Sequence, residues 1–457
     1  MSLEDTIAAI STPIGVGGIG IIRISGLRAA PIAQSLLPGS NLNRSHTLTL
    51  GNLVDPISKT QVDQILFSIM RSPKTYTRED VVEINCHSGP LVLKKILELI
   101  LSQGARLAQP GEFTLRAFLN GRIDLTQAEG IIELIHARSE VALEQANKLL
   151  QGDLREKLKA LQEQLITLLA HLEAAIDFPE EELELLDRKD WACRLKQEVL
   201  TPLENLVRGY EQGRPFREGL TMVLLGKPNV GKSSLLNRLL KEDRAIVTPV
   251  PGTTRDTIEE TILIKGLPIR LIDTAGIRRA RDEIEEAGIT RTREKILQAH
   301  LVLFLLDTSR PLEEIDYAIF EEIGARQTII LLNKMDLPSV ISGTEIRKKF
   351  PGAPTLSISA RLDLGLEGLK DEIHECFVQS HSPEALPDLI PTLLQKSVFE
   401  KMLSSLTLAY DSNAQGLSLE FIALDLQTAL RDLGSLIGMT RDEDILDRIF
   451  SRFCIGK

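Results

Sequence analysis

Eight residues, GKPNVGKS at Gly226–Ser233, constrain this chain more than any others. They fit the spacing G-x-x-x-x-G-K-S/T, follow the apolar run TMVLL and precede the helix-like SLLNRLL. A glycine-rich turn between a strand and a helix can curl until its N–H groups point at phosphate oxygens. In that arrangement Lys232 reaches the β- and γ-phosphates and Ser233 holds Mg2+. Such a loop needs a sheet around it. Residues 220–378 supply one: TMVLLG, PIRLIDTAG, LVLFLLDTS and TIILLNKMD are short apolar runs that lead into loops, with helical stretches between several of them. That alternation predicts a mostly parallel sheet covered by helices.

Further motifs follow in order. DTAG (Asp273, Thr274, Ala275, Gly276) ends a predicted strand, where a carboxylate can hold the Mg2+ shell and the Gly276 N–H can meet a γ-phosphate. NKMD (Asn333, Lys334, Met335, Asp336) ends a later one. Asp336 can accept hydrogen bonds from the N1–H and exocyclic amine of guanine. Adenine offers neither there and would leave a buried carboxylate unpaired, so the pattern selects GTP over ATP. SISAR, with Ser359, Ala360 and Arg361, supplies a backbone N–H for the guanine oxygen. The expected nucleotide site also takes Asn229, Val230, Gly231 and Ser234 from the first loop. Thr248, Pro249, Val250, Pro251, Gly252, Thr253 and Thr254 join it from the switch segment TPVPGTTRD.

Hydrolysis departs from the Ras pattern. The residue after DTAG is Ile277, which cannot orient water as a glutamine does. Downstream, Arg278, Arg279, Asp282, Glu283, Glu285 and Glu286 are all candidates, and the residues alone do not choose among them. The Asn229 side-chain carbonyl can ligate a monovalent cation. Thr254 can complete the Mg2+ shell, and carbonyls before it can complete a K+ site.

The rest of the 457 residues, 43% hydrophobic and 26% charged, fits an ordinary multidomain composition. No apolar run is long enough to span a membrane, and the acidic start MSLEDTIAAISTP lacks the basic region of a secretory leader. The four cysteines, Cys86, Cys193, Cys376 and Cys454, form no C-x-x-C pair, so neither zinc nor a disulfide framework is expected and a cytoplasmic location fits. A net charge of -11 excludes nucleic-acid binding through bulk charge. Residues 1–120 mix β-like runs with one clear helix, LVLKKILELILSQG, and read as a small α/β domain. Residues 121–219 carry Leu154, Leu158, Leu161, Leu165, Leu168 and Leu172 at alternating spacings of four and three, the core stripe of a long helix. Residues 379–457 are helical again, so the α/β unit 220–378 reads as an insertion into a helical domain.

Together GKPNVGKSS, TPVPGTTRD, DTAGIRRARDEIEE, NKMD and FCIGK resemble the MnmE (TrmE) family of tRNA uridine-modification GTPases. TPIGVGGIGIIRISG, EDVVEINCHSG and PGEFTLRAFLNGRIDL are similar to the same family, so the resemblance spans the chain. It implies an N-terminal domain that binds a tetrahydrofolate derivative (5-formyl or methylene form) and dimerises, a helical domain, and an inserted Ras-like G domain. It implies a homodimer that acts with an FAD-dependent MnmG-type partner on carbon 5 of the wobble uridine of certain tRNAs, without a membrane, with K+ stimulating GTP hydrolysis. By motif match, K+ falls to Asn229, Thr248, Val250 and Thr253, and Mg2+ to Ser233 and Thr254. Glu285 takes the water-orienting role through a bridging water. Folate falls to Arg23, Glu83, Arg122 and Lys457. Arg122 stands where some members carry lysine, keeping the charge but not the geometry.

Three features remain. GVGGIG (Gly15–Gly20) precedes the strand-like IIRIS rather than following a strand, so a glycine turn beside the folate pocket is expected, not a dinucleotide site. His87 reads as a satisfied structural histidine. The tail SRFCIGK ends on Gly456 and Lys457, unlike a prenylation box. Lys457 becomes a partner for an anionic ligand, and Cys454 either a small apolar contact or a thiol with a role in that chemistry. The alternative reading is a switch GTPase of ribosome assembly, which folate binding would rule against.

Overall fold

The computed structural model describes residues 5–178, 187–243, 259–273, 299–380, 387–438, 446 and 449–457. By contacts it separates into two compact units. One comprises Met1–Ile135, Ala146–Glu204 and Thr392–Lys457; the other His136–Gln145 and Asn205–Pro391.

The first unit opens with strands β1 (Ile7–Ile10), β2 (Gly17–Ser25), β3 (Leu48–Val54), β4 (Gln61–Met70), β5 (Val81–Ser88) and β6 (Arg106–Leu107). They form one sheet in the order β3-β4-β5-β2-β1-β6. Alternation sorts its faces. Ile22, Ile24, Ile65, Phe67, Val82 and Ile84 point into a core closed by helices α1 (Ala29–Leu36) and α2 (Pro90–Ser102). The residues between them, including Arg23 and Glu83, therefore lie on the other face, where Leu48, Leu50 and Leu66 are exposed. With α3 (Glu112–Leu119) this domain has more than the one helix expected, because α1 and α3 are only eight residues each, too short for their apolar spacing to stand out in the sequence. The Gly15–Gly20 run also differs from expectation. Gly17, Gly18 and Gly20 lie inside β2, with a register shift against β5 between Gly17 and Gly20, rather than in a turn before it.

Helical sequence then follows: α4 (Leu125–His136), α5 (Glu140–Gln151), α6 (Asp153–Asp177), α7 (Arg188–Arg194) with a π-helical turn at Leu195–Leu200, and α8 (Thr201–Glu218). All six leucines of the α6 stripe are buried. Trp191 packs beside them and donates its indole N–H to Leu168 O at 3.1 Å.

The second unit holds β7 (Leu220–Leu225), α9 (Lys232–Asp243), β8 (Glu259–Ile264), β9 (Leu267–Asp273), β10 (Leu301–Asp307), α10 (Glu314–Ile323), β11 (Thr328–Asn333), α11 (Gly343–Lys349), β12 (Thr355–Ser357) and α12 (Leu366–Ser380). Its sheet runs β12-β11-β10-β7-β9-β8, parallel throughout except for the β8–β9 hairpin. β7, β10 and β11 are buried at every residue, as continuous apolar runs covered on both faces must be.

Back in the first unit, α13 (Leu393–Ala414) and α14 (Leu419–Ile437) pack on each other, and α14 packs on α6. Residues 449–457 close the chain: Ile449, Phe450 and Phe453 pack on Leu125, Ala128 and Ile132 of α4.

Candidate functional site: a phosphate loop and a cationic pocket

The loop after β7 sits at the carboxyl end of a central parallel strand. Gly231 needs its glycine, because φ is 104° and a Cβ there would run into the Asn333 side-chain nitrogen. Asn229, also left-handed at φ 66°, is exposed, and its side-chain oxygen has no partner among the described residues. Lys232 donates to Gly226 O and Lys227 O, both at 2.7 Å, so its ammonium lies across the loop. Ser233 and Ser234 open α9 and are exposed, and Val230 is buried.

Asn333 joins three strand ends. Its amide donates to Val230 O at 2.7 Å and accepts from the Ala360 N–H at 3.0 Å. That engagement leaves Arg361 as the open backbone donor of the SISAR loop. Lys334 pairs with Asp307 at 2.6 Å. Burial works against the Asp307 carboxylate, but hydrogen bonds from Lys334 and Ser309 hold its pKa below the usual range. Ser359 Oγ donates to Asp336 Oδ1 at 2.6 Å, fixing the carboxylate expected to face the base. Met335 is exposed. A cavity of about 190 Å3 borders the loop at Lys227, Asn229 and Val230. Beside it Lys227 pairs with Asp316 at 2.8 Å and Glu313 at 3.3 Å. Thr248, Pro249, Val250, Pro251, Gly252, Thr253, Thr254, Thr274, Ala275, Gly276 and Glu285 lie outside the described residues, and of Asp273 only the backbone is described.

The second cluster forms on the open face of the first sheet. Register sets Arg23 opposite Glu83; the guanidinium Nε donates to Glu83 Oε1 at 2.8 Å, and Nη2 lies at ion-pair distance, 2.8 Å, from the same oxygen. Arg23 Nη1 and Ser11 Oγ reach Gly456 O at 3.4 and 3.1 Å, which draws the end of the chain to the mouth of β1. Arg122 donates to Thr75 O at 3.0 Å and lies over the Tyr76 ring. Burial, with the neighbouring Arg23 charge, holds the Lys457 amine below its usual pKa, and Cys454 acts in the opposite sense. The four residues expected at one pocket therefore converge from distant stretches of sequence. Cys454 is exposed in the single chain, and Phe453 beside it takes the buried position. His87 pairs with Asp63 at 2.7 Å. No disulfide joins the four cysteines; burial and the nearby Asp63 push Cys86 up to about 11.

Sequence reasoning passed over Tyr76 and Phe113, whose rings lie under Arg23 at 5.6 and 5.7 Å. One signal was available: aromatics make up only 4% of the chain, and Tyr76 stands among charged and turn residues in PKTYTRED, where no core calls for it.

Residues 6–122 match the family profile described as GTP-binding protein TrmE N-terminus, and residues 125–454 the one described as MnmE helical domain. A tRNA modification GTPase MnmE from Syntrophobacter fumaroxidans is 47% identical over 99% of this chain and 98% of its own length. The chain belongs to the MnmE family of tRNA modification GTPases. Another MnmE, from Carboxydothermus hydrogenoformans, is 45% identical over the full length of both chains. Among solved structures, the G domain of the T. maritima FeoB iron transporter matches 34% of this chain and 98% of its own at 30% identity, with a TM-score of 0.28. The chain thus carries a TrmE-type N-terminal domain and an MnmE helical domain, and its second unit holds the mostly parallel sheet with the glycine-rich loop after β7. Among the described residues no helix is long and apolar enough to cross a membrane.

Proposed function

We propose that this chain is a K+-stimulated GTPase that works with an FAD-dependent MnmG-type partner on tRNA. It takes part in modifying carbon 5 of the wobble uridine with a one-carbon unit from 5-formyl- or methylene-tetrahydrofolate. The observation that carries the reading is the convergence of Arg23, Glu83, Arg122 and Lys457 at one sheet face, in a chain whose NKMD and SISAR loops also meet, through the Ser359–Asp336 and Asn333–Ala360 hydrogen bonds.

At the nucleotide, the backbone amides of Gly226–Ser233 cradle phosphates and Lys232 exchanges its two carbonyl contacts for phosphate oxygens. Ser233 and Thr254 bind Mg2+, with Asp273 behind its water shell and the Gly276 N–H at the γ-phosphate. Asn229, whose side-chain oxygen is open, binds K+ with Thr248, Val250 and Thr253. A cation there supplies positive charge where an arginine acts in other GTPases. Glu285 orients the attacking water through a second water. Asp336 and the Arg361 amide read guanine.

At the folate pocket, Glu83 spends one oxygen on Arg23 and keeps Oε2 for the amino edge of a pterin. Arg122 and Lys457 offer positive charge to carboxylates. Leu48, Leu50 and Leu66 are apolar side chains exposed on the same face, which supports a homodimer formed there. The domain limits 1–120, 121–219, 220–378 and 379–457 and a cytoplasmic location complete the proposal.

Two measurements test it. Calorimetric titration with 5-formyl-tetrahydrofolate should show binding that Arg122→Gln weakens by about tenfold or more, the loss of a charged hydrogen bond. No binding by the wild type, with normal wobble uridines in tRNA from a deletion strain, refutes the modification reading. GTP turnover should be much faster in KCl than in NaCl and should collapse in Glu285→Ala with GTP affinity kept. Equal rates in both salts remove Asn229 from its role.

A further inference from the structure

Tyr76 lies under two guanidinium groups. Arg23 Cζ is 5.6 Å and Arg122 Cζ 5.0 Å from its ring centroid. Two like charges over one ring repel each other, and Arg23 alone has a carboxylate, Glu83, to offset this. Arg122 has the Thr75 carbonyl and, among the described residues, no carboxylate within ion-pair reach. The aromatic face is its other attraction, of a kind worth about 0.5–2 kcal/mol. Among the described residues its remaining side-chain N–H donors are unspent.

The ring is itself held fast. The Tyr76 hydroxyl is 2.8 Å from Thr114 Oγ1. Its neighbour Thr77 is 2.6 Å from Ser25 Oγ through its own hydroxyl and accepts from Asn120 Nδ2 at 2.6 Å through its carbonyl. Two residues on, Glu79 pairs at 3.1 Å with Arg116, a guanidinium only 1% exposed that also pairs with Asp5 and Glu112. A buried charge network of this kind is costly to disturb and fixes what is attached to it.

We propose that Tyr76 is a positioning residue of the pocket. Its ring holds the Arg122 guanidinium where the carboxylate of a reduced folate's glutamyl tail can take the open N–H groups. The proposal rests on the folate reading of the same pocket and adds a residue and a mechanism to it. Plain packing is the competing role, since the ring also touches the cluster of Ile7, Ala9, Ala108 and Phe113. Packing would act on stability and would be indifferent to Arg122.

The test is calorimetric titration of the full-length protein with 5-formyl-tetrahydrofolate, with GDP affinity and melting temperature measured alongside. Tyr76→Phe keeps the ring and should bind within about twofold of wild type. Tyr76→Met removes the ring and should weaken folate binding about tenfold, with GDP affinity unchanged. The double variant Tyr76→Met/Arg122→Gln should bind no worse than Arg122→Gln alone, because both changes remove one interaction. Tyr76→Gln, ringless but able to bond Thr114, should behave as Tyr76→Met and decides the matter if the latter does not fold. Ringless variants that bind like wild type, or a double variant whose losses add, overturn the positioning role and leave the folate pocket standing. A wild type that binds GDP but no reduced folate overturns the pocket itself, and this inference with it.

Discussion

At the scale of single residues, the pocket proposed for folate depends on a glycine with no side chain to contribute. Gly456 has φ 98°, and a Cβ there would collide with the Ile10 carbonyl, a backbone atom that cannot swing aside. Its own carbonyl is what Arg23 and Ser11 hold. Gly456→Ala should therefore lift the tail off β1 at a cost of about 1–2 kcal/mol. Titration should show weaker folate binding, because Lys457 moves with the tail, while GTP turnover measured without folate stays at the wild-type rate. Unchanged folate affinity would mean that Lys457 is not part of the pocket. Residue identity at such places was only partly legible beforehand. Arg23, Glu83, Arg122 and Lys457 were expected because motifs surround them. Arg116 was not: a buried arginine reads like a surface one in a linear string, and only the arrival of Asp5 and Glu79 from distant positions, beside Glu112 one helical turn back, makes its burial tolerable.

At the scale of elements, periodicity carried most of the information. The α6 leucine stripe and the continuous apolar runs of β7, β10 and β11 were readable because burial imposes one pattern on a helix and another on a covered strand. Register was not readable: the glycines at Gly17–Gly20 look like a turn and prove to be strand, since pairing with β5 overrides their local preference. The contact of α4 with the start of α13 makes a prediction at this scale. Glu129 of α4 is buried and accepts from Thr392 Oγ1 at 2.8 Å and Gln395 Nε2 at 2.6 Å, the two residues of the α13 capping box. Burial raises its pKa to about 7, against those two hydrogen bonds, which favour the charged form. A carboxyl raised in the folded state holds its proton there while the unfolded chain has lost it. Stability should therefore fall as pH rises from the unfolded value near 4.5 to about 7, then level off, by an amount on the order of 3 kcal/mol. Urea unfolding of the wild type from pH 5 to pH 8 should show this decline, and Glu129→Gln, a permanently neutral mimic, should flatten it. Parallel curves for the two proteins would place the pH dependence elsewhere.

At the scale of the whole molecule, two compact units built from interleaved stretches of one chain should answer to different ligands. The nucleotide loops all belong to the unit containing Asn205–Pro391, and the Arg23–Lys457 pocket belongs to the other. A ligand stabilises what it binds by about 2.7 kcal/mol at a hundredfold excess over Kd. Scanning calorimetry should then resolve two transitions, one raised by GDP with Mg2+ and the other by 5-formyl-tetrahydrofolate. A single transition moved equally by both would mean that the units unfold as one. The composition of the first unit also bears on its birth. The α6 stripe finds its cover on α14, which leaves the ribosome about 240 residues later. At ordinary elongation rates of about 5–20 residues per second, six leucines wait for roughly 10–50 s without their partner. In that interval the nascent chain is a substrate for chaperones, and a nascent chain stalled within β7–α12 should be captured by them far more readily than one released after residue 437.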